Sequence, residues 1–242
     1  MYATTEAPRP SSLLRRSGLL PGHRERALVP DGWQASLFGL VDPSIDPAFA
    51  GIERLHLDDT SWVDHLPLWL AGADLVFGEL VARLPWRHRD VVMYDRVVPE
   101  PRLTSWWSES PEGSEDDGAE PLPVLADIRR ALSDRYDRHF DSIGCNYYRD
   151  GNDSVAWHGD TVRKVYVDPL VAIVSVGSPR PFHLRPRGGG HAHSFELGLG
   201  DLLVMGGACQ HDWEHSVPKV RHAGPRLSIT FRHGDKWEDD GG

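Results

Sequence analysis

After Phe140 the amino-acid sequence changes period. The segments "IGCNYYR", "SVAWHGD", "LVAIVSVG", "RPFHLRP", "HSFELGLG", "DLLVMGG", "HDWEHSV" and "RLSITFRH" follow one another, separated by Gly, Pro, Asn and Asp. Each is short and rich in β-branched and aromatic residues, the pattern of strands bounded by turns. Segments of this kind at roughly ten-residue intervals predict a sandwich or barrel, here a jelly roll of about eight strands. Two stretches of helical period precede them. Between 67 and 84, Leu70, Leu75, Val76, Leu80, Val81 and Leu84 recur near helical spacing, and Pro85 stops the run. "PLPVLADIRRALSDRYDRHF", 121–140, predicts a second amphipathic helix starting at Pro121 or Pro123. The expected fold class is therefore α+β: a double-stranded β-helix (jelly roll) core with N-terminal helices packed on the outside. The expected division is a mobile N-terminal arm (1–26), an N-terminal extension with a substrate lid (27–120), a jelly-roll core (121–236) and a disordered tail (237–242).

The last strand, "RLSITFR", puts Arg226, Ser228, Thr230 and Arg232 on one face and Leu227, Ile229 and Phe231 on the other. Two placements fit. Either this is an edge strand with its arginines in water, or its polar face points inward and meets an anion. Upstream, "VAWHGDTV" sets His158 and Asp160 two residues apart, on one face of a continuing strand, with Gly159 on the other. "QHDWEHSVPK" adds His211 and His215. An H-x-D followed by a distant histidine is the spacing of the two-histidine, one-carboxylate triad that leaves three octahedral positions of Fe(II) open. Alone the motif is weak, because 13 histidines make a later one nearly certain. The arginine strand adds weight: three open positions and two cations imply a small dianion chelating the metal. The two cysteines, Cys145 and Cys209, cannot form a disulfide framework or a thiolate zinc site.

The 242 residues contain no apolar run long enough to span a bilayer, and residues 1–30 lack the apolar centre of a signal peptide. A soluble, cytoplasmic protein with no membrane partner is expected. A net charge of −10 argues against a nucleic-acid partner, since phosphate binding is driven by Lys and Arg. Much of the acid, however, is confined to "SESPEGSEDDGAE" and the terminal "DKWEDDGG". "SPRPFHLRPRGGGHAH" carries Arg180, Arg185 and Arg187 without any acid, and reads either as a local basic strip or as a solvated loop.

From Asn146 to Arg232 the pieces "NYYRDGNDSVAWHGD", "AIVSVG", "GDLLVMGG", "WEHSVPK" and "RLSITFR" stand in the order and spacing of a known family. The chain resembles the AlkB family of Fe(II)- and 2-oxoglutarate-dependent dioxygenases, and "PRLTSWW", 101–107, is similar to the segment before the substrate lid in several repair members. The resemblance implies His158, Asp160 and His215 as iron ligands and leaves His211 without a role. It implies Asn146 and Tyr148 as 2-oxoglutarate contacts, Arg226 for the distal carboxylate and Arg232 near the metal-bound end, with Ser228 adding a hydrogen bond. Because Arg226 and Arg232 span about 20 Å of straight strand, both reach one ligand only through long side chains and curvature.

The implied chemistry uses Fe(II), 2-oxoglutarate and O2 to remove N-alkyl (methyl or etheno) adducts oxidatively from nucleic-acid bases, a DNA-repair activity giving succinate, CO2 and an aldehyde. The implied partner is alkylated DNA, with RNA as an alternative, and the protein acts as a monomer. A base must leave its stack to be reached. His158 forms one wall for it, Trp106 or Trp107 the other, with Arg102 near a phosphate and Arg187, Arg163 and Lys164 available to the backbone. Val162 departs from the family: repair members often carry an acid there to read an exocyclic amine, so strict adenine or cytosine reading is weakened. Two other readings compete: a same-fold 2-oxoglutarate oxygenase acting on RNA, protein or a small molecule, and a non-catalytic jelly-roll binding module.

Overall fold

The computed structural model describes residues 41–93, 96–109, 122–160 and 168–233. The arm 1–26, the tail 237–242, and Val162, Arg163 and Lys164 lie outside the described residues. Before the first helix come four short strands, β1 (Ser44–Ile45), β2 (Glu53–His56), β3 (Ser61–Leu66) and β4 (Leu70–Ala71). Helix α1 (Ala73–Arg83) leads to β5 (Arg87–Met93) and the long β6 (Arg96–Ser108), and then α2 (Pro123–Tyr136). The remaining strands are β7 (Phe140–Tyr148), β8 (Val155–His158), β9 (Val171–Gly177), β10 (Arg180–Pro186), β11 (His193–Leu197), β12 (Asp201–Gly207), β13 (Trp213–Val217) and β14 (Arg226–His233), with the short α3 (Cys209–Asp212) before β13. All eight segments read from the period-two pattern are strands.

The strands form an eight-stranded sheet ordered β2-β3-β12-β9-β14-β7-β6-β5 and a four-stranded sheet ordered β11-β10-β13-β8, with β1 and β4 pairing separately. This mostly-β architecture fits a jelly-roll core. Alternation along each strand of the large sheet feeds two hydrophobic layers. Leu202, Val204, Leu227, Ile229 and Phe231 share one cluster with Val76, Phe77 and Leu80 of α1 and Leu125, Ile128 and Leu132 of α2. Leu203, Met205, Val171 and Ile173, from the opposite face, pack with Phe182, Leu184, Trp213 and Val217 of the small sheet. The helices form because each presents one apolar stripe. In α2 the stripe is Val124, Leu125, Ile128 and Leu132, with Pro123 at the first turn and Asp137 in the left-handed conformation closing the end.

Two expectations change and one open alternative is decided. The helix expected between 67 and 84 begins only at Ala73, after Gly72 at φ 67°, and β1–β4 precede it. Leu70, counted toward the helix, pairs with Ile45 in β4. The boundary at 120/121 is not a boundary of packing: β3 pairs with β12 and β6 with β7, so strands from both sides of it share the large sheet. Strand β14 is not an edge, being paired with β7 on one side and β9 on the other. None of the described helices is long and apolar enough to cross a membrane.

Candidate active site

Between the sheets lies a cavity of about 760 Å³, lined on one side by β5, β6, β7, β9 and β14 and on the other by β8, β10 and β13. The polar face of β14 points into this space: Ser228, Thr230 and Arg232 line it.

His158 and His215 face each other directly across β8 and β13, where an irregularity sets one residue of β13, Ser216, against two of β8, Ala156 and Trp157. Their ring centroids are 4.3 Å apart, and Phe182 stacks on His215. Strand β8 ends at His158, so Asp160 lies beyond the ladder rather than on a continuing strand. One ligand atom from each of His158, Asp160 and His215 lies within 4.8 Å of the others, and no other such group of three or more occurs among the described residues. Nδ1 of His158 is 2.9 Å from Ala156 O. A carbonyl only accepts, so Nδ1 carries the proton and Nε2 is left as a donor for a cation.

The protonation states suit a cation. Burial would raise the Asp160 carboxyl, but the charges of Arg232 and then His215 outweigh it and hold it down at about 2. Burial pushes the His215 imidazole down to about 4, against the pull of Asp160. Arg232 Nη2 donates to Asp160 Oδ1 at 2.8 Å, while Oδ2 is buried without a hydrogen bond among the described residues. A buried carboxylate oxygen left bare costs free energy that a bound cation would offset. Two imidazoles and one carboxylate are a donor set that suits Fe(II). The buried thiols of Cys145 and Cys209 are each pushed up to about 12, chiefly by burial, and are inert as ligands at neutral pH.

Asn146, Tyr148, Ser228 and Arg232 line the cavity. Arg226 does not: its guanidinium is fully buried behind Tyr148, 5.3 Å from the ring. It donates Nε to Leu197 O and Nη2 to Ser175 Oγ, and Nη1 is buried without a hydrogen bond among the described residues.

On β6, alternation sends Arg102, Thr104 and Trp106 into the cavity. Trp107 points the other way, packed against the helix-side core under Arg129. Trp106 is 48% exposed and lies against Gly144, where a Cβ would fall 2.7 Å from the ring; the bare glycine lets the indole lie flat on the sheet. Arg102 is held against the cavity wall: Nε donates to Asn146 Oδ1 at 3.0 Å and Nη2 lies 2.9 Å from Glu100 Oε2. The basic strip dissolves on inspection. Arg180 is fully buried and donates to the carbonyls of Asp150, Asp153 and Pro218. Arg185 lies over Trp157, which belongs to neither core cluster, and pairs with Glu214. Only Arg187 of the three is exposed, and it packs beside Gly159. Exposed Arg87, His88 and Arg89 on β5 also line the cavity; the "RHR" following Pro85 was the available signal for them.

Residues 70–232 match the model of the 2OG-Fe(II) oxygenase superfamily, so the class is an Fe(II)- and 2-oxoglutarate-dependent dioxygenase with O2 as cosubstrate. The mouse alpha-ketoglutarate-dependent dioxygenase alkB homolog 3 (Mus musculus) is 36% identical over 208 residues, covering 80% of this chain and 70% of that one. Its human counterpart (Homo sapiens) is 34% identical over the same shares. The DNA oxidative demethylase ALKBH2 of Arabidopsis thaliana is 30% identical over 64% of this chain and 60% of its own. The solved structure of OsALKBH1 matches with a TM-score of 0.50 at 15% identity, over 75% of this chain and all of that one, a likeness of fold. The chain belongs to the AlkB family of these dioxygenases.

Proposed function

We propose that this dioxygenase removes N-alkyl adducts, methyl or etheno, from nucleic-acid bases, with DNA as the principal substrate. One observation carries the reading: the cavity that holds the His158, Asp160, His215 group is also lined by a half-exposed indole, Trp106, and by the exposed arginines of "RHR", Arg87 and Arg89. An unstacked base needs a flat partner, and its backbone needs positive charge despite an acidic whole. Relatives named as DNA oxidative demethylases support the substrate class.

In this reading His158 Nε2, His215 and Asp160 hold Fe(II), and Arg232 occupies Asp160 Oδ1 so that Oδ2 is kept for the metal. Bound there, Fe(II) with 2-oxoglutarate and O2 supplies the oxidation that hydroxylates the N-linked carbon, giving succinate, CO2 and, on collapse, an aldehyde and the restored base. Tyr148, Asn146 and Ser228 offer hydrogen bonds to 2-oxoglutarate, and the Nη1 of Arg226 is an open donor behind them. Arg102 fixes the amide of Asn146 by taking its oxygen, which turns the NH2 toward other acceptors. Trp106 stacks the base opposite His158, and β5–β6 serve as the substrate-facing lid. No side chain acts as a nucleophile.

The test uses the protein with Fe(II), 2-oxoglutarate and ascorbate on DNA and RNA oligonucleotides carrying methyl or etheno adducts, read by mass spectrometry. Adduct loss is expected on DNA, and Asp160→Ala is expected to abolish it. Succinate formed slowly with every adduct intact would instead favour a same-fold oxygenase acting on protein or a small molecule.

A further inference from the structure

Asp160 is the one member of the candidate triad that no strand ladder holds, because β8 ends at His158 and residues 159 and 160 follow it as irregular chain. Its carboxylate is gripped by Arg232. Something must also fix the peptide that carries it. Arg187, immediately after β10, leans on that peptide. A Cβ built on Gly159 would lie 2.3 Å from Arg187 Nη2, 3.2 Å from Cζ and 3.4 Å from Nη1, so the guanidinium fills the space where any other residue would put its side chain. Gly159 does not have the positive φ that demands glycine, which leaves this close approach as the reason for it.

Arg187 is in turn tied to three consecutive carbonyls. Its backbone N–H donates to Asp212 O at 2.7 Å, Nε to His211 O at 2.9 Å, and Nη2 reaches Gln210 O at 3.4 Å. Those carbonyls belong to α3, which runs directly into β13 and, two residues on, to His215. The side chain therefore spans from the strand start that carries one histidine to the peptide between the other two candidate ligands. Neither Arg187 nor its carbonyl partners line the cavity.

We propose that Arg187 is a positioning residue for the metal centre: it braces Gly159 against the α3–β13 junction and thereby sets Asp160 relative to His158 and His215. This rests on the reading of those three residues as the metal ligands. It replaces the phosphate contact that the sequence suggested for Arg187. Lysine keeps the charge but has no fork to hold two carbonyls while lying flat on a glycine, so charge and shape can be separated.

The experiment titrates Fe(II) anaerobically into the full chain with 2-oxoglutarate, following the visible charge-transfer band, for wild type, Arg187→Ala, Arg187→Lys, Gly159→Ala and the double variant Gly159→Ala/Arg187→Ala. Adducted-oligonucleotide affinity against salt is measured alongside, and thermal melts report folding. Both Arg187 variants and Gly159→Ala are expected to weaken Fe(II) binding by roughly 10- to 100-fold, the effect usual for outer partners of metal ligands. The double variant is expected to bind Fe(II) at least as well as Gly159→Ala, because removing Arg187 makes room for the methyl group. Oligonucleotide affinity and its salt slope should stay as in wild type. Unchanged Fe(II) affinity in Arg187→Ala overturns the proposal. If oligonucleotide affinity also falls, with a salt slope shallower by about one and rescue by lysine, Arg187 is a phosphate contact. A wild-type protein that gives no band overturns the metal reading itself, an outcome distinct from a normal wild type with unaffected variants.

Discussion

In the proposed metal centre the one carboxylate of Asp160 serves two cations. Arg232 takes Oδ1, and Oδ2, without a hydrogen bond among the described residues, is the oxygen proposed for the metal. The arginine keeps the carboxyl ionised but also competes for it, so its net effect is decided by geometry. Arg232→Ala should free Oδ1, let burial raise the Asp160 pKa, and weaken Fe(II) binding most at acid pH; a pH series of Fe(II) titrations checks this. An unchanged pH profile would mean that Arg232 contributes nothing to the state of the carboxylate. The H-x-D pair was legible because both ligands sit in one short quotation. The Arg232–Asp160 contact was not, since it joins positions 72 apart in sequence, one on β14 and one past the end of β8, that meet only after folding. The inward turn of Arg102 was equally hidden. Its strand face followed from alternation, but Glu100 and Asn146 as partners did not.

Among elements, β14 shows how far alternation reaches. It gave both faces correctly, yet could not say whether the strand was an edge or interior. The pairing with β7 and β9 decides that, and it buries Ile229 and Phe231 completely. Ile229→Ala should cost about 2–5 kcal/mol, the usual range for emptying a core site, measured by denaturant unfolding. A cost below about 1 kcal/mol would show that the helix-side core repacks freely. Strand β3 was missed because its partner β12 is far along the chain, and its own six residues are too few to display a period against the helical spacing beside it.

The β7–β8 turn offers a pH test. Burial would raise the Asp153 carboxyl, but the side-chain and backbone hydrogen bonds of Arg149 outweigh it and lower it. A lowered folded-state value stabilises fully above the ordinary 3.8 and is lost as pH falls through the folded value. Asp153→Asn should therefore lower stability at pH 7 and flatten its fall below about pH 4. Parallel acid limbs for both proteins would contradict this.

At the scale of the whole molecule, two apolar layers among the described residues flank a polar space. The helix-side layer covers one face of the large sheet, the inter-sheet layer fills part of the gap, and the cavity occupies the rest. Composition pointed away from a polyanion, with 36 acids against 26 basic residues. Local placement matters more than the total. The strip that looked basic in sequence spends Arg180 on buried carbonyls and Arg185 on Trp157 and Glu214, whereas the cations beside the cavity come from β5. A linear string cannot separate a buried arginine from an exposed one, and the proposed polyanionic partner depends on that distinction.

The central claim is that oxidation of 2-oxoglutarate at this site is coupled to dealkylation of a base. The direct measurement is the ratio of succinate formed to adduct lost from a singly methylated DNA oligonucleotide in the presence of Fe(II) and O2. A ratio near one is expected for the wild type, with neither succinate formation nor adduct loss in Asp160→Ala. Succinate accumulating while the methylated base stays intact, on DNA and on the matching RNA, would contradict it.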